Sequence, residues 1–301
     1  MLQARFPRLN GDSRGMPKLD RLNWAEGIAV IAYGVRIGIR ANQPGVIAQY
    51  LPWLPPSWKL AKSPVVERLY SIIAGGEGKR RGLQLSHLIY ANGERLVRVP
   101  QFEQAATALE GDVQLYVAEM SPRRVFVHAG VVGWRGQAVV IPGRSFSGKT
   151  TLTAALVKAG CAYYSDEYAV LDTAGRVHPY ARLLGIRERG QFERATRYAV
   201  ETLGGKRGAR PLPVALVIVS QYKSGATWRP RRLSAGEGAL AMLENTVSAR
   251  REPQAALATL RRVVAESLVL KGRRGETPQV VDFILNTLEK NASNLVDNNA
   301  L

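Results

Sequence analysis

Residues 141–152 read Ile-Pro-Gly-Arg-Ser-Phe-Ser-Gly-Lys-Thr-Thr-Leu. Gly143, Gly148, Lys149 and Thr150 fit the pattern G-x-x-x-x-G-K-[ST] without a gap. Such a loop holds phosphate because successive backbone N–H groups and the N-terminus of the next helix converge on one anion. The candidate contacts are Gly143, Arg144, Ser145, Phe146, Ser147, Gly148, Lys149, Thr150 and Thr151. An exposed Lys149 ammonium is expected to reach the outer phosphates, and the Thr150 hydroxyl to ligate Mg²⁺. Phe146 stands where many such loops use a small residue, and a positive φ there would be costly.

Two further groups could do chemistry beside that loop. Asp166 and Glu167 follow a short apolar run after the helix that the loop should open. One carboxylate can serve the metal while the other accepts a proton, since like charges this close tend to raise one pKa. The plain alternative is an acidic turn between two strands. His128 lies in the apolar run Val-Phe-Val-His-Ala-Gly, where a histidine is ordinarily packed in the core. A hairpin turning at Arg135 would place His128 opposite Pro142, next to the start of the loop. A one-residue slip would turn it to the other face. The apolar strand at Val214–Val219 ends in Ser220-Gln221 and offers the metal no acid.

These residues need particular elements to hold them. Residues 123–143 read as a hairpin around Trp134-Arg135-Gly136, its second strand running into the loop, and residues 150–158 continue as a helix. That strand–loop–helix context is what the motif requires. Residues 161–172 read strand, turn, strand; their first strand, if parallel to the loop strand and beside it, emerges at the same sheet edge. Residues 211–221 form a buried strand. Ser234 to Glu237 is a capping box, and residues 253–270 and 277–289 carry helical patterns. Upstream, residues 27–40 suggest strands, and residues 50–59 an ordered turn with three prolines. Residues 64–74 fit helix or strand equally. Asn92-Gly93 marks a hairpin, and residues 101–119 a helix with a break allowed at Gly111. The expected division is a flexible basic arm over 1–20, an α/β domain over 21–122, a phosphate-loop domain over 123–290 and a flexible tail over 291–301.

Composition bounds the partners. The chain has 301 residues, 46% apolar and 22% charged, as in ordinary globular proteins. A single cysteine, Cys161, rules out an internal disulfide or a cysteine metal cluster. No apolar run reaches membrane-spanning length and the N-terminus lacks a signal-peptide core, so a cytoplasmic setting without membrane is expected. The formal net charge of +18 favours anionic partners. Its arginine doublets, Arg273-Arg274 among them, are scattered rather than blocked, which reads as a solvated basic surface; nucleic acid is not the expected partner. A homo-oligomer is compatible with the sequence.

The order His128-Ala-Gly-Val-Val, Pro142 to Leu152, then Tyr163-Tyr-Ser-Asp-Glu-Tyr-Ala-Val-Leu171 resembles the HPr kinase/phosphorylase superfamily, whose fold is shared with phosphoenolpyruvate carboxykinases. The resemblance spans about residues 123–190 and is weaker beyond. It implies an α/β P-loop kinase domain with a smaller N-terminal α/β domain and C-terminal helices. It also implies ATP and Mg²⁺ as cofactors, and transfer of the γ-phosphoryl group to a hydroxyl, foremost a serine of a protein or peptide. By the resemblance Asp166 is the base, Glu167 lies with Thr150 near the metal, and His128 and Lys149 complete the catalytic set. The family's E-I-R-G-x-G-I loop has its nearest match in Tyr180 to Ile186, where Arg182 and Gly185 fit and Tyr180 stands in place of the acid. A small-molecule kinase and a nucleotide-binding regulatory module without transfer activity are the alternatives.

Overall fold

The computed structural model describes residues 6–11, 15–77, 84–144, 147–186 and 196–297. The chain forms two compact units, Met1–Pro122 and Arg123–Leu301. Both are mixed α/β.

The first unit is built on a six-stranded sheet. Glu26–Ala32 and Val35–Ala41 pair as a hairpin whose turn residues Tyr33 and Gly34 both have positive φ. Residues 64–74, ambiguous in sequence, are strands at Val65–Val66 and Arg68–Ile73. Asn92-Gly93 joins His87–Ala91 to Glu94–Val99 as expected. The helix Phe102–Met120 runs through Gly111 without a break and buries Leu109, Val113 and Val117. Residues 50–59 hold the end of a short helix, a 3₁₀ turn and the start of an edge strand. The expected loose arm needs correction over its described part. Arg8–Leu9 pairs with Val65–Val66, and the helix Met16–Asp20 buries Met16 and Leu19 against Val66 and Leu69. Two apolar anchors within four residues outweigh the polar composition. Residues 1–5 and 12–14 lie outside the described residues.

In the second unit, with elements numbered from its start, β1 (Val125–Trp134) and β2 (Gln137–Pro142) form the predicted hairpin. The loop and α1 (Lys149–Lys158) follow, then β3 (Ala162–Ser165) and β4 (Tyr168–Leu171). Short strands β5 (Val177–His178), β6 (Leu184–Ile186), β7 (Thr196–Tyr198) and β8 (Lys206–Arg207) lead to β9 (Val214–Tyr222). Then come β10 (Arg231–Arg232), α2 (Ala235–Leu243), α3 (Pro253–Glu266), β11 (Leu268–Arg274) and α4 (Thr277–Asp297). The sheet runs β5-β4-β1-β2-β9-β11-β10, with β3 also on β1. β2, β9 and β11 are mutually parallel. Their valine-rich runs are buried on both faces, as sheet covered by helices on both sides requires. α2 and α3 cover one face through Met242, Leu260 and Val264. α1 and α4 cover the other through Leu152, Leu156, Val280 and Ile284.

Three expectations change. The helical pattern over 253–270 stops at Glu266, and Leu268–Arg274 is a strand of the central sheet. Val264 and Leu268 keep helical spacing across the junction, so periodicity does not mark it; pairing with β9 does. Residues 291–297, expected as a flexible tail, continue α4, while 298–301 lie outside the described residues. The hairpin register is shifted by one: Ala129 pairs with Pro142, and His128 falls opposite Gly143. The turn has two residues, Arg135 and Gly136, both with positive φ, so its centre lies between them rather than on Arg135.

Gly130 sets how closely α1 meets the sheet. A Cβ on it would collide with the Thr153 hydroxyl and lie 3.5 Å from the Lys149 carbonyl oxygen. Gly130→Ala should therefore push the first turn of α1 off β1 and destabilise the unit by about 1–3 kcal/mol. A urea midpoint equal to wild type would refute this close-approach role.

Candidate active site around the phosphate loop

β2 ends at Pro142, which has no N–H to extend the ladder. Gly143 N–H still reaches the His128 carbonyl at 3.1 Å, and the chain then leaves the sheet. Ser147 N–H donates to the Arg144 carbonyl at 3.2 Å. Gly148 caps α1 with φ 82°, a left-handed conformation suited to glycine. Lys149, Thr150 and Thr151 form the first helical turn. Ser145 and Phe146 lie outside the described residues.

Lys149 differs from expectation. It is buried, and its Nζ donates to the Arg144 carbonyl at 3.4 Å across the loop. An ammonium carries three donors and no acceptor, and the loop carbonyl of Arg144 takes one of them.

The sequence reading missed Arg274. It sits at the end of β11 and is 1% exposed, although its doublet suggests surface. Its guanidinium donates to the Gly148 carbonyl at 2.7 Å and the Gly275 carbonyl at 3.3 Å, and lies over the Tyr222 ring. A Cβ at Gly148 would strike that guanidinium, so the position requires glycine twice over. Burial lowers the Arg274 pKa, partly offset by Tyr222 and Glu276. Only the strand assignment could have revealed it, because Arg274 reaches the loop through the pairing of β11 with β9.

The acidic turn joins β3 to β4. Ser165 Oγ accepts from the N–H groups of Glu167 at 3.0 Å and Tyr168 at 2.9 Å, which fixes the turn. β3 runs in the same direction as β2 but is not beside it, because β1 lies between them and pairs antiparallel with both. The expected common edge is thus reached one strand further out. Asp166 is partly buried and accepts from the Tyr163 hydroxyl at 2.7 Å. Burial raises its pKa; the Tyr163 bond opposes this, Glu167 adds to it, and the Gly185 backbone opposes it further. His128 Nδ1 lies 3.6 Å from Glu167 Oε1, and its ring stacks on Tyr168 at 4.7 Å. Arg182 closes the same side, its pKa lowered to about 10 by burial and by Arg197. Tyr180 is fully buried edge-on to Phe126 and Tyr168, so that position supplies packing rather than an acid.

Contacts therefore join His128 to the loop and to Glu167, Asp166 to Tyr163 and Gly185, and Lys149 and Gly148 to their carbonyl and guanidinium partners. Among the described residues no three His, Cys, Asp or Glu side chains come together as a metal site. Thr150 and Glu167, if they held a Mg²⁺ ion, would leave its other ligands to phosphate and water, which is how Mg²⁺ is commonly bound. No described helix is long and apolar enough to cross a membrane. The chain matches no family model and no curated protein.

The raised Asp166 pKa has a stability consequence. Folded Asp166 binds its proton more tightly than the unfolded side chain, whose pKa is about 3.9. Stability is thus lost as pH rises from the unfolded value through the folded one. Asp166→Asn keeps the acceptor for Tyr163 and removes that charge. It should melt higher than wild type at pH 7, with the gain vanishing below about pH 4. A lower Tm at pH 7 would show that the carboxylate is held by net favourable contacts instead.

Proposed function

We propose that the second unit is a P-loop kinase of the HPr-kinase-like type, transferring the γ-phosphoryl group of ATP to a serine hydroxyl of a protein or peptide. One observation carries the reading: the G-x-x-x-x-G-K-T loop leaves a strand end, opens a helix at Lys149 and lies beside His128, which contacts the acidic turn. The resemblance over residues 123–190 rests on the same residues and points to the same reading.

In this reading the loop N–H groups and Lys149 hold the phosphates, while Arg182 offsets charge on the transferred group. Mg²⁺, when bound with the nucleotide, supplies charge neutralisation between the phosphates. The acceptor oxygen bonds to the γ-phosphorus as the bond from that phosphorus to the β,γ-bridging oxygen breaks. The bond electrons leave with ADP, and the hydroxyl proton passes to Asp166. A carboxylate with a raised pKa is the stronger base for this step. His128 positions the Glu167 carboxylate. The packing of Tyr180 where the family carries an acid favours an acceptor other than HPr, and keeps a nucleotide-binding regulatory module as the second reading.

The two readings separate on Asp166. ATP with Mg²⁺ should raise Tm in wild type and in Asp166→Asn alike, by an amount set by ligand excess, about 2.7 kcal/mol at one hundred times Kd. Lys149→Met, which suits a buried site better than alanine, should lose the shift. Peptide phosphorylation by Asp166→Asn should fall roughly 10²–10⁴-fold, with the acid limb of the wild-type rate profile above the ordinary carboxylate range. Absence of any Tm shift with millimolar ATP would end both readings. A shift with no transfer by wild type to any serine peptide would leave the regulatory module.

A further inference from the structure

A cleft of about 520 Å³ opens directly off the phosphate loop, away from the acidic turn. Its floor is the start of the loop and the ends of β9 and β11; its wall is α2. The volume is in the range of small-molecule pockets. Val219, Leu233, Leu240 and Ala241 give it an apolar side, while Gln221 and Glu244 add polar groups. Arg144 and Lys271 stand in the same lining. Leu240 is 59% exposed. One exposed leucine means little by itself; here it faces a concave space continuous with an anion site.

We infer that this cleft seats the nucleoside of the phosphoryl donor, with the base against Leu240 and Val219. Arg144 and Lys271 then meet the phosphates nearest the ribose, and the Glu244 carboxylate accepts from ribose hydroxyls. The lining combines apolar side chains, on which a base can lie, with charged and polar ones that a ribose and phosphates can use. The other side of the loop does not suit a nucleoside. It presents Asp166 and Glu167, which repel polyphosphate. A smaller opening of about 310 Å³ beside His128 shares Arg144, Glu244 and Asn245 with the cleft and so continues it toward His128. The nucleoside then lies at the Leu240 end of this continuous space, and the terminal phosphate points toward His128 and the acidic turn. This inference rests on the kinase reading and adds where the nucleoside lies and which side chains hold it.

The test compares ATP with inorganic tripolyphosphate, which shares the phosphates and lacks the nucleoside. Titration calorimetry with Mg²⁺ on the full chain should give wild-type binding of ATP at least about tenfold tighter than of tripolyphosphate. Leu240→Ser, at an exposed position that folding does not depend on, should weaken ATP about tenfold and leave tripolyphosphate unchanged. Leu240→Met should restore ATP binding. Lys149→Met should weaken both ligands. Equal wild-type affinity for the two ligands, or an unchanged ATP affinity in Leu240→Ser, would overturn the cleft assignment while the kinase reading stands. Failure of wild type to bind either ligand would overturn both.

Discussion

A buried guanidinium has few ways to be satisfied, and the second unit is arranged around one. Arg274 ends the strand most distant from β1 among the three parallel ones, and its two terminal nitrogens donate to the carbonyls of Gly148 and Gly275. A charged donor on a carbonyl makes one of the stronger hydrogen bonds available to a protein. The Gly148 carbonyl is also the acceptor for the Leu152 N–H at 3.1 Å. One peptide group therefore closes the first turn of α1 and receives the end of the sheet. If β11 moved, the turn that carries Lys149 and Thr150 would move with it.

The second constraint is steric. Gly130 lets the first turn of α1 lie on β1, and Gly148 makes room for Arg274 from the other side. The loop is thus held between a backbone that lacks a side chain and a buried guanidinium that fills the space beside Gly148. The acidic turn is fixed by different means, the Ser165 hydroxyl and the Tyr163 hydroxyl. Asp166 is oriented by the Tyr163 hydroxyl and lies in the field of Arg197, although burial makes its charge costly.

Local order was legible in the sequence; long-range order was not. Asn92-Gly93 and Arg135-Gly136 read as turns because positive φ at both positions restricts the residue types. Ser234 and Glu237 read as a cap because both partners lie within one turn, and the structure has the full capping box. Leu268–Arg274 did not read as a strand, because its partners Leu216–Tyr222 lie about fifty residues upstream and leave no local signature. Arg274 was hidden for the same reason. At the arm, the pairing of Arg8–Leu9 depends on Val65–Val66, again far along the chain. Lys149 was misjudged for another reason: its burial goes with a bond to the Arg144 carbonyl, which no residue type announces. The motif, the acidic pair and His128 were all legible, but the spacing of the sheet between them was not, since β1 stands between β2 and β3.

The pairing pattern also sets an order in time. The β1–β2 hairpin closes over two residues, whereas β9 must find β2 across the whole of α1, β3 and β4. Contacts that close short loops form with little entropy loss, and distant parallel pairings come late. The bond from Arg274 to Gly148 spans 126 positions. On a chain emerging from synthesis, the hairpin and the loop's flanking elements can assemble long before that guanidinium exists. Completion of the loop is therefore a report that the last strand has arrived, and a chain stalled before β11 carries the motif without its anchor.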